Sequence, residues 1–214
     1  GPDHLRTVWA HWTLALGEPD RTIARPALAA VCAALATRPG NGNEGDVCAL
    51  DLAWLAEADG DRPAALAAMA QALAHAGTPE ITPDAAAFIA VATDRPDAAR
   101  LVAEIEAAAR APTSPADWEP SARADRSALV AWAADQRGDT AASTVAWRRV
   151  LDLLTTTNFA VDGRRRARAQ AVLAERAAPT RPAEARDLAT AALRWYRRSA
   201  IAAIAAQLPS SREP

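Results

Sequence analysis

The 214-residue chain contains no lysine: all 24 of its basic residues are arginine. No physical requirement explains so complete a bias, which reads as the mark of GC-rich coding DNA. Aromatic residues make up only 5% of the chain, and seven of them are tryptophan. β-branched and aromatic side chains, which suit a pleated surface, are too sparse for a sheet-based core. No apolar run reaches the roughly 18–20 residues that a bilayer crossing requires. No signal peptide opens the sequence. Gly1-Pro2 has the look of a scar left by tag removal, so the sequence is expected to be part of a longer protein.

Alanine is abundant, at about 60 residues. It has the best intrinsic helix propensity, with leucine and arginine close behind, so the expected class is all-α. The net charge of −2 conceals an asymmetry. Residues 1–142 hold 11 Arg against 20 acids, and residues 143–214 hold 13 Arg against 6. Two differently solvated surfaces account for this, with end-to-end docking of a charge-polarised rod as the alternative.

The sequence repeats itself. Leu52-Ala53-Trp54-Leu55-Ala56-Glu57-Ala58-Asp59-Gly60-Asp61 aligns without a gap on Val130-Ala131-Trp132-Ala133-Ala134-Asp135-Gln136-Arg137-Gly138-Asp139, so Ala-Trp-x-Ala-x-x-x-Gly-Asp recurs. Further on, Ala64 falls on Ala142, Met69 on Trp147 and Leu73 on Leu151. Asp61-Arg62-Pro63-Ala64-Ala65 resembles Asp94-Arg95-Pro96-Asp97-Ala98, one repeat length away, and Thr180-Arg181-Pro182-Ala183-Glu184-Ala185 is a looser copy. Each unit reads as two antiparallel helices. Glycine ends the first by accepting φ > 0, and the following Asp, or a Pro in the next first turn, starts the second. Ala53, Ala65, Ala131 and Ala142 are expected to let paired helices approach, while Met69, Leu73, Trp147 and Leu151 fill the groove between units.

In these features the chain resembles the tetratricopeptide repeat family, best over 47–76 and 126–155 and more weakly over 82–110 and 164–196. The resemblance implies a single α-solenoid domain over 1–214, built from antiparallel helical hairpins with about ten helices. The helices are expected near 4–16, 22–37, 45–59, 62–76, 83–92, 96–110, 121–137, 140–155, 162–178 and 182–207. An irregular inter-repeat segment at 111–120 and a frayed tail at 209–214 complete the map. The stretch from Arg181 to Arg198, with Ile201 to Leu208, is similar to the last repeat of tetratricopeptide tails on bacterial Ser/Thr protein kinases and related regulators. That likeness implies a non-catalytic scaffold, the docking or sensor region of such a protein, binding a protein or peptide. The alternative is a helical domain that senses a small molecule or anion in its concave face.

Candidate catalytic residues are weak. His4, His11 and His75 lack further ligands at metal spacing, no phosphate loop or catalytic-loop His-Arg-Asp is present, and neither enzyme activity, metal nor cofactor is expected. Trp54 and Trp132 each stand six residues before the turn glycine. The resemblance implies a place on the concave groove for both, beside Leu50, Glu57, Ala128 and Asp135. Burial against a following helix is the competing and slightly stronger reading. Trp9 and Trp12 are expected to seal the end of the array, Trp147 to be core, and Trp195-Tyr196 to bury one ring.

Arg164, Arg165, Arg166 and Arg168 crowd a helix start, against its dipole. Solvated charge is the plainer reading, and an anion or acidic partner the sharper one. Nucleic acid is the weaker partner, because no aromatics interleave the arginines. Cys32 and Cys48 flank a loop at similar depth. They read first as two buried thiols, with a disulfide geometrically open. Free thiols would fit a cytoplasmic location and a bond an extracytoplasmic one.

Overall fold

The computed structural model describes residues 5–18, 20–37, 44–74, 82–111, 119–155, 157 and 160–207. Ten helices follow one another and no strand occurs among the described residues: α1 (Leu5–Gly17), α2 (Arg21–Ala36), α3 (Glu44–Ala58), α4 (Arg62–Ala74), α5 (Thr82–Ala92), α6 (Ala98–Arg110), α7 (Glu119–Gln136), α8 (Thr140–Leu153), α9 (Ala160–Ala177) and α10 (Pro182–Gln207). Each helix packs on the next, as helical hairpins do. The expected map holds within about two residues at most ends, the usual uncertainty of helix boundaries. The segment expected to be irregular is shorter, since α7 already begins at Glu119. Pro120 sits in its first turn, where no backbone N–H is required. Residues 112–118 and 208–214 lie outside the described residues, as do His4 and His75.

The turns explain the repeat. Gly60 and Gly138 adopt φ of 75° and 73°. Beyond them, the N–H of Asp61 donates to the carbonyl of Ala56 and that of Asp139 to Ala134, both at 2.9 Å. This six-to-one bond satisfies a carbonyl that the helix end would otherwise leave open. The same Asp residues then cap the next helix: Asp61 accepts from the N–H of Ala64 at 3.1 Å, and Asp139 from Ala142 at 2.9 Å. In the intervening hairpin the N–H of Arg95 donates to Ala90 at 2.8 Å, and the left-handed residue is Asp94, with φ of 54°. Asp94 therefore corresponds to Gly60, one residue away from the match suggested by the Asp-Arg-Pro alignment. The shift also moves Pro96 and Asp97 into the turn, so α6 starts at Ala98 rather than at 96.

Packing follows the small-and-large pattern. Ala53, Ala65 and Ala131 are fully buried, and Met69 and Trp147 fill the core, with Leu73 and Leu151 packed at its edge. Ala142 is exposed, and Ser143, aligned with Ala65, takes the buried place at the helix contact. A second core cluster joins α1, α2 and the start of α3 around Trp12, Leu16, Leu28 and Leu35. Cys32 and Cys48 lie within it and are bonded, with Cα atoms 5.4 Å apart, which corrects the first reading of two thiols. Both side chains are buried, and the two helices place them at matching depth, so the bond needs no backbone displacement.

The array also closes on itself, because α1 packs against α9. The first helices of the five hairpins therefore line one inner face.

A left-handed aspartate is strained where a glycine is not. Asp94→Gly is expected to stabilise the chain by about 0.5–1 kcal/mol, read as a higher urea midpoint with an unchanged slope. A lower midpoint would mean that the Asp94 side chain contributes more than its backbone costs.

Candidate functional site

Three layers of side chains run down the inner face. Asp51, Trp54 and Glu57 on α3 sit at spacings of three, so successive turns of one helix contribute to successive layers.

The middle layer is aromatic. Trp54 of α3 meets Trp132 of α7 edge-on with ring centres 5.9 Å apart, and Phe88 of α5 edge-on at 5.3 Å. Phe88 and Trp132 stack at 4.4 Å with planes 5° apart. Phe88 escaped the sequence reading, although it stands six residues before Asp94 as the two tryptophans stand before their glycines. Three consecutive hairpins thus place an aromatic ring at the same step, and the rings form a ladder. Trp132 is only 3% exposed, so it is a core residue, whereas Trp54 is half-buried. Leu50 and Ala128 pack at the edge of the same core. Arg168 of α9 completes the layer, its guanidinium carbon lying 5.4 Å from the ring centres of both Trp54 and Trp147.

The layer at the hairpin turns carries the two acids expected on the groove. Glu57 accepts from the indole N–H of Trp132 at 2.9 Å and from Arg62 at 3.0 Å through the same oxygen, Oε1. Its Oε2 is buried without a hydrogen-bond partner. Asp135 pairs with Arg176 and accepts from the indole N–H of Trp147 at 3.4 Å.

The third layer is charged and centres on Arg165. Its guanidinium pairs with Asp125 of α7, with Asp51 of α3 at 3.4 Å and with Asp162 of its own helix at 3.2 Å. It also donates to Ser121 at 3.0 Å, and that hydroxyl donates to Asp162 at 2.6 Å. Asp51 accepts from the indole N–H of Trp12 at 3.1 Å, which brings α1 into the network. Asp84 of α5 and Arg126 of α7 stand 3.5 Å apart beside it.

Burial dominates the electrostatics of this layer. Desolvation pushes Asp125 up to about 7, reinforced by Asp51, Asp84 and Asp162 and partly offset by Arg165. Desolvation likewise pushes Asp84 up to about 6 against the opposing pull of Arg126, and raises Asp51 despite Arg165 and the Trp12 N–H. Desolvation works against the charge of Arg165, but Asp125, Asp51 and Asp162 outweigh it and hold the guanidinium above its usual value. Asp125 nevertheless keeps 31% of its side chain accessible.

The remaining arginines of the cluster also turn inward. Arg164 donates to the carbonyls of Leu16, at 3.0 Å, and Glu18, at the end of α1. Arg166 donates to Leu154, and to Thr157 at 3.2 Å, after α8. These are helix-end acceptors, where a cation is favourable. The acidic and carbonyl groups that Arg164, Arg165 and Arg166 meet thus belong to the chain itself. Arg168 differs, since it makes no hydrogen bond or ion pair among the described residues and contacts two indole faces. Desolvation lowers its pKa, with Glu57, Tyr196 and Asp135 acting the other way.

Elsewhere, Trp12 is buried while Trp9, 5.0 Å from it, stays 44% exposed. Trp195 is half-buried against Gly163, where an added Cβ would overlap the indole, and Tyr196 reaches the surface. His11 is exposed. Among the described residues no group of three or more His, Cys, Asp or Glu could hold a metal ion, and no helix is long and apolar enough to cross a membrane. No protein-family model matches the chain, and no curated protein or solved structure is similar to it.

Removing one partner of a buried charge network leaves the others uncompensated. Arg165→Met is expected to destabilise the chain by about 3–5 kcal/mol, measured by urea unfolding at neutral pH. A loss below about 1 kcal/mol, the level of surface pairs, would show that Asp51 and Asp162 find other partners.

Proposed function

We propose that this chain is a non-catalytic protein-interaction scaffold of tetratricopeptide type, the docking or sensor region of a bacterial signalling protein. Its inner face would receive an acidic segment of a protein or peptide. The observation that carries this reading is Arg168. Three arginines of the cluster are engaged by the chain, and this one contacts two tryptophan faces and makes no hydrogen bond or ion pair among the described residues. Arginine and tryptophan are the residues that most often dominate binding energy at interfaces. A guanidinium beside aromatic rings can still donate in its plane, a geometry that suits a planar carboxylate. Trp54, Glu57 and Asp135 would then frame the contact, with Leu50 and Trp132 supporting it from the core.

The Cys32–Cys48 bond favours an extracytoplasmic place for the domain over a cytoplasmic one, since such bonds persist in oxidising compartments. A second reading, a sensor of a small organic anion, draws on the same guanidinium and on the reachable Asp125 nearby. A low-mass anion retained in native mass spectrometry of the purified chain would favour it.

The test is capture from the native host with immobilised wild-type, Arg168→Gln and Trp54→Ala chains, each checked for unchanged helicity. A partner held by wild type is expected to be retained at least tenfold less by Arg168→Gln, a loss of about 1.4 kcal/mol. Trp54→Ala is expected to weaken it by a similar factor. Equal retention by all three would remove the inner face from binding, and a Trp54→Ala chain that unfolds would make that ring structural.

A further inference from the structure

The charged layer has an unusual balance for a contact that joins distant parts of a chain. Four carboxylates, Asp51, Asp84, Asp125 and Asp162, gather around Arg165 and Arg126, which make the ion pairs with them among the described residues. The groups around Asp125 come from every side. Asp51 faces it from α3, Asp84 from α5, and Asp162 and Arg165 from α9. Arg126 and Ser121 stand on α7 itself, and Arg164 reaches Asp51 electrostatically from α9. Towards α6 and α8, Arg123 donates to the carbonyls of Ala109 and Arg110, and Arg149 to that of Ala109.

The same layer fastens the last hairpin to the rest. Through Arg164 and Arg165, α9 reaches the end of α1, the middle of α3 and the start of α7, while α10 packs along α9. The α9–α10 hairpin is thus a strap across the inner face. Undocking it would return Asp125 and Asp51 to water.

We propose that this strap is a pH-sensitive closure, docking more tightly onto α1, α3 and α7 as the medium turns acidic and loosening as it turns alkaline. The physical reason is burial of the carboxyls, to which their mutual repulsion adds. With the strap docked, the carboxyls crowd in a poorly solvated place and each added proton relieves repulsion. With the strap open, Asp125 and Asp51 are hydrated and ionise at their ordinary values. The docked state therefore binds more protons between the two values, near 3.8 and about 7 for Asp125. Closure is favoured at the acid end of that window and weakens as pH rises through it, becoming constant above about 8. This is opposite to an ordinary salt bridge, whose carboxylate is held low and whose contribution fades on acidification.

Hydrogen exchange on the full chain tests the proposal, with protection factors corrected for intrinsic rates at pH 5.5, 6.5 and 8.0. The amides of α9 are expected to gain on the order of tenfold protection from pH 8.0 to 5.5. The amides of α4, which contributes no residue to the layer, are expected to change little. Asp125→Asn should abolish most of the gain. Protection of α9 that is flat or falls on acidification overturns the proposal on wild type alone, even where the variant does not fold. So does an equal rise in α4, which would mark a global effect, or an Asp125→Asn chain that keeps the full response.

Discussion

The contact between Arg165 and its carboxylates holds the inner face together. It joins α3, α7 and α9 at one point, while its neighbour Arg164 ties the same helix to α1. Repeat arrays are ordinarily stabilised by each unit packing on the next. Here a long-range polar contact is added, between hairpins that are not neighbours in the chain. The charge asymmetry of the sequence finds part of its explanation there, because arginines of the basic last third neutralise Asp51 and helix-end carbonyls of the acidic first part.

Much of the fold was legible because hairpins obey local rules. Gly60-Asp61 and Gly138-Asp139 announce a left-handed residue followed by a helix cap, and both act that way. Asp94 hid the third turn, since an aspartate can take a glycine's place at the expense of strain. The misplaced turn hid Phe88 in its stead, as the ring's equivalence to Trp54 appears only once Asp94 is set against Gly60. Ala142 and Ser143 show the same one-residue difficulty, because a match between alanine-rich helices does not say which small residue faces the neighbour.

The site was less legible for a different reason. A cluster such as Arg164 to Arg168 declares charge, but beside the nearby Asp162, Leu154 and Thr157 the groups that answer it lie more than a hundred residues away in α1 and α3 and about forty away in α7. Sequence spacing within α9 says nothing about them. The packing of α9 against α1, α3, α7 and the end of α8 engages three of the four arginines, and among the described residues the fourth, Arg168, contacts only rings. Trp132 is core through its packing on Phe88, Trp54 and Glu57, while Trp54 is half-buried. The cysteines depended on a finer matter, the facing of two antiparallel helices, which the loop between them left open.

The link between Arg164 and Leu16 spans 148 residues. The hairpins can form from contacts within and between adjacent units, which are quick to find, whereas a contact of such separation carries a large loop-closure entropy and comes late. During synthesis the first four hairpins of the array would exist before its strap. In that interval the indole N–H of Trp12 still has Asp51, but Asp51 and Asp125 are without their cation, and the inner aromatic ladder lies open along one side. The order of events thus gives the nascent chain a period in which its inner face is most accessible, ending when α9 arrives.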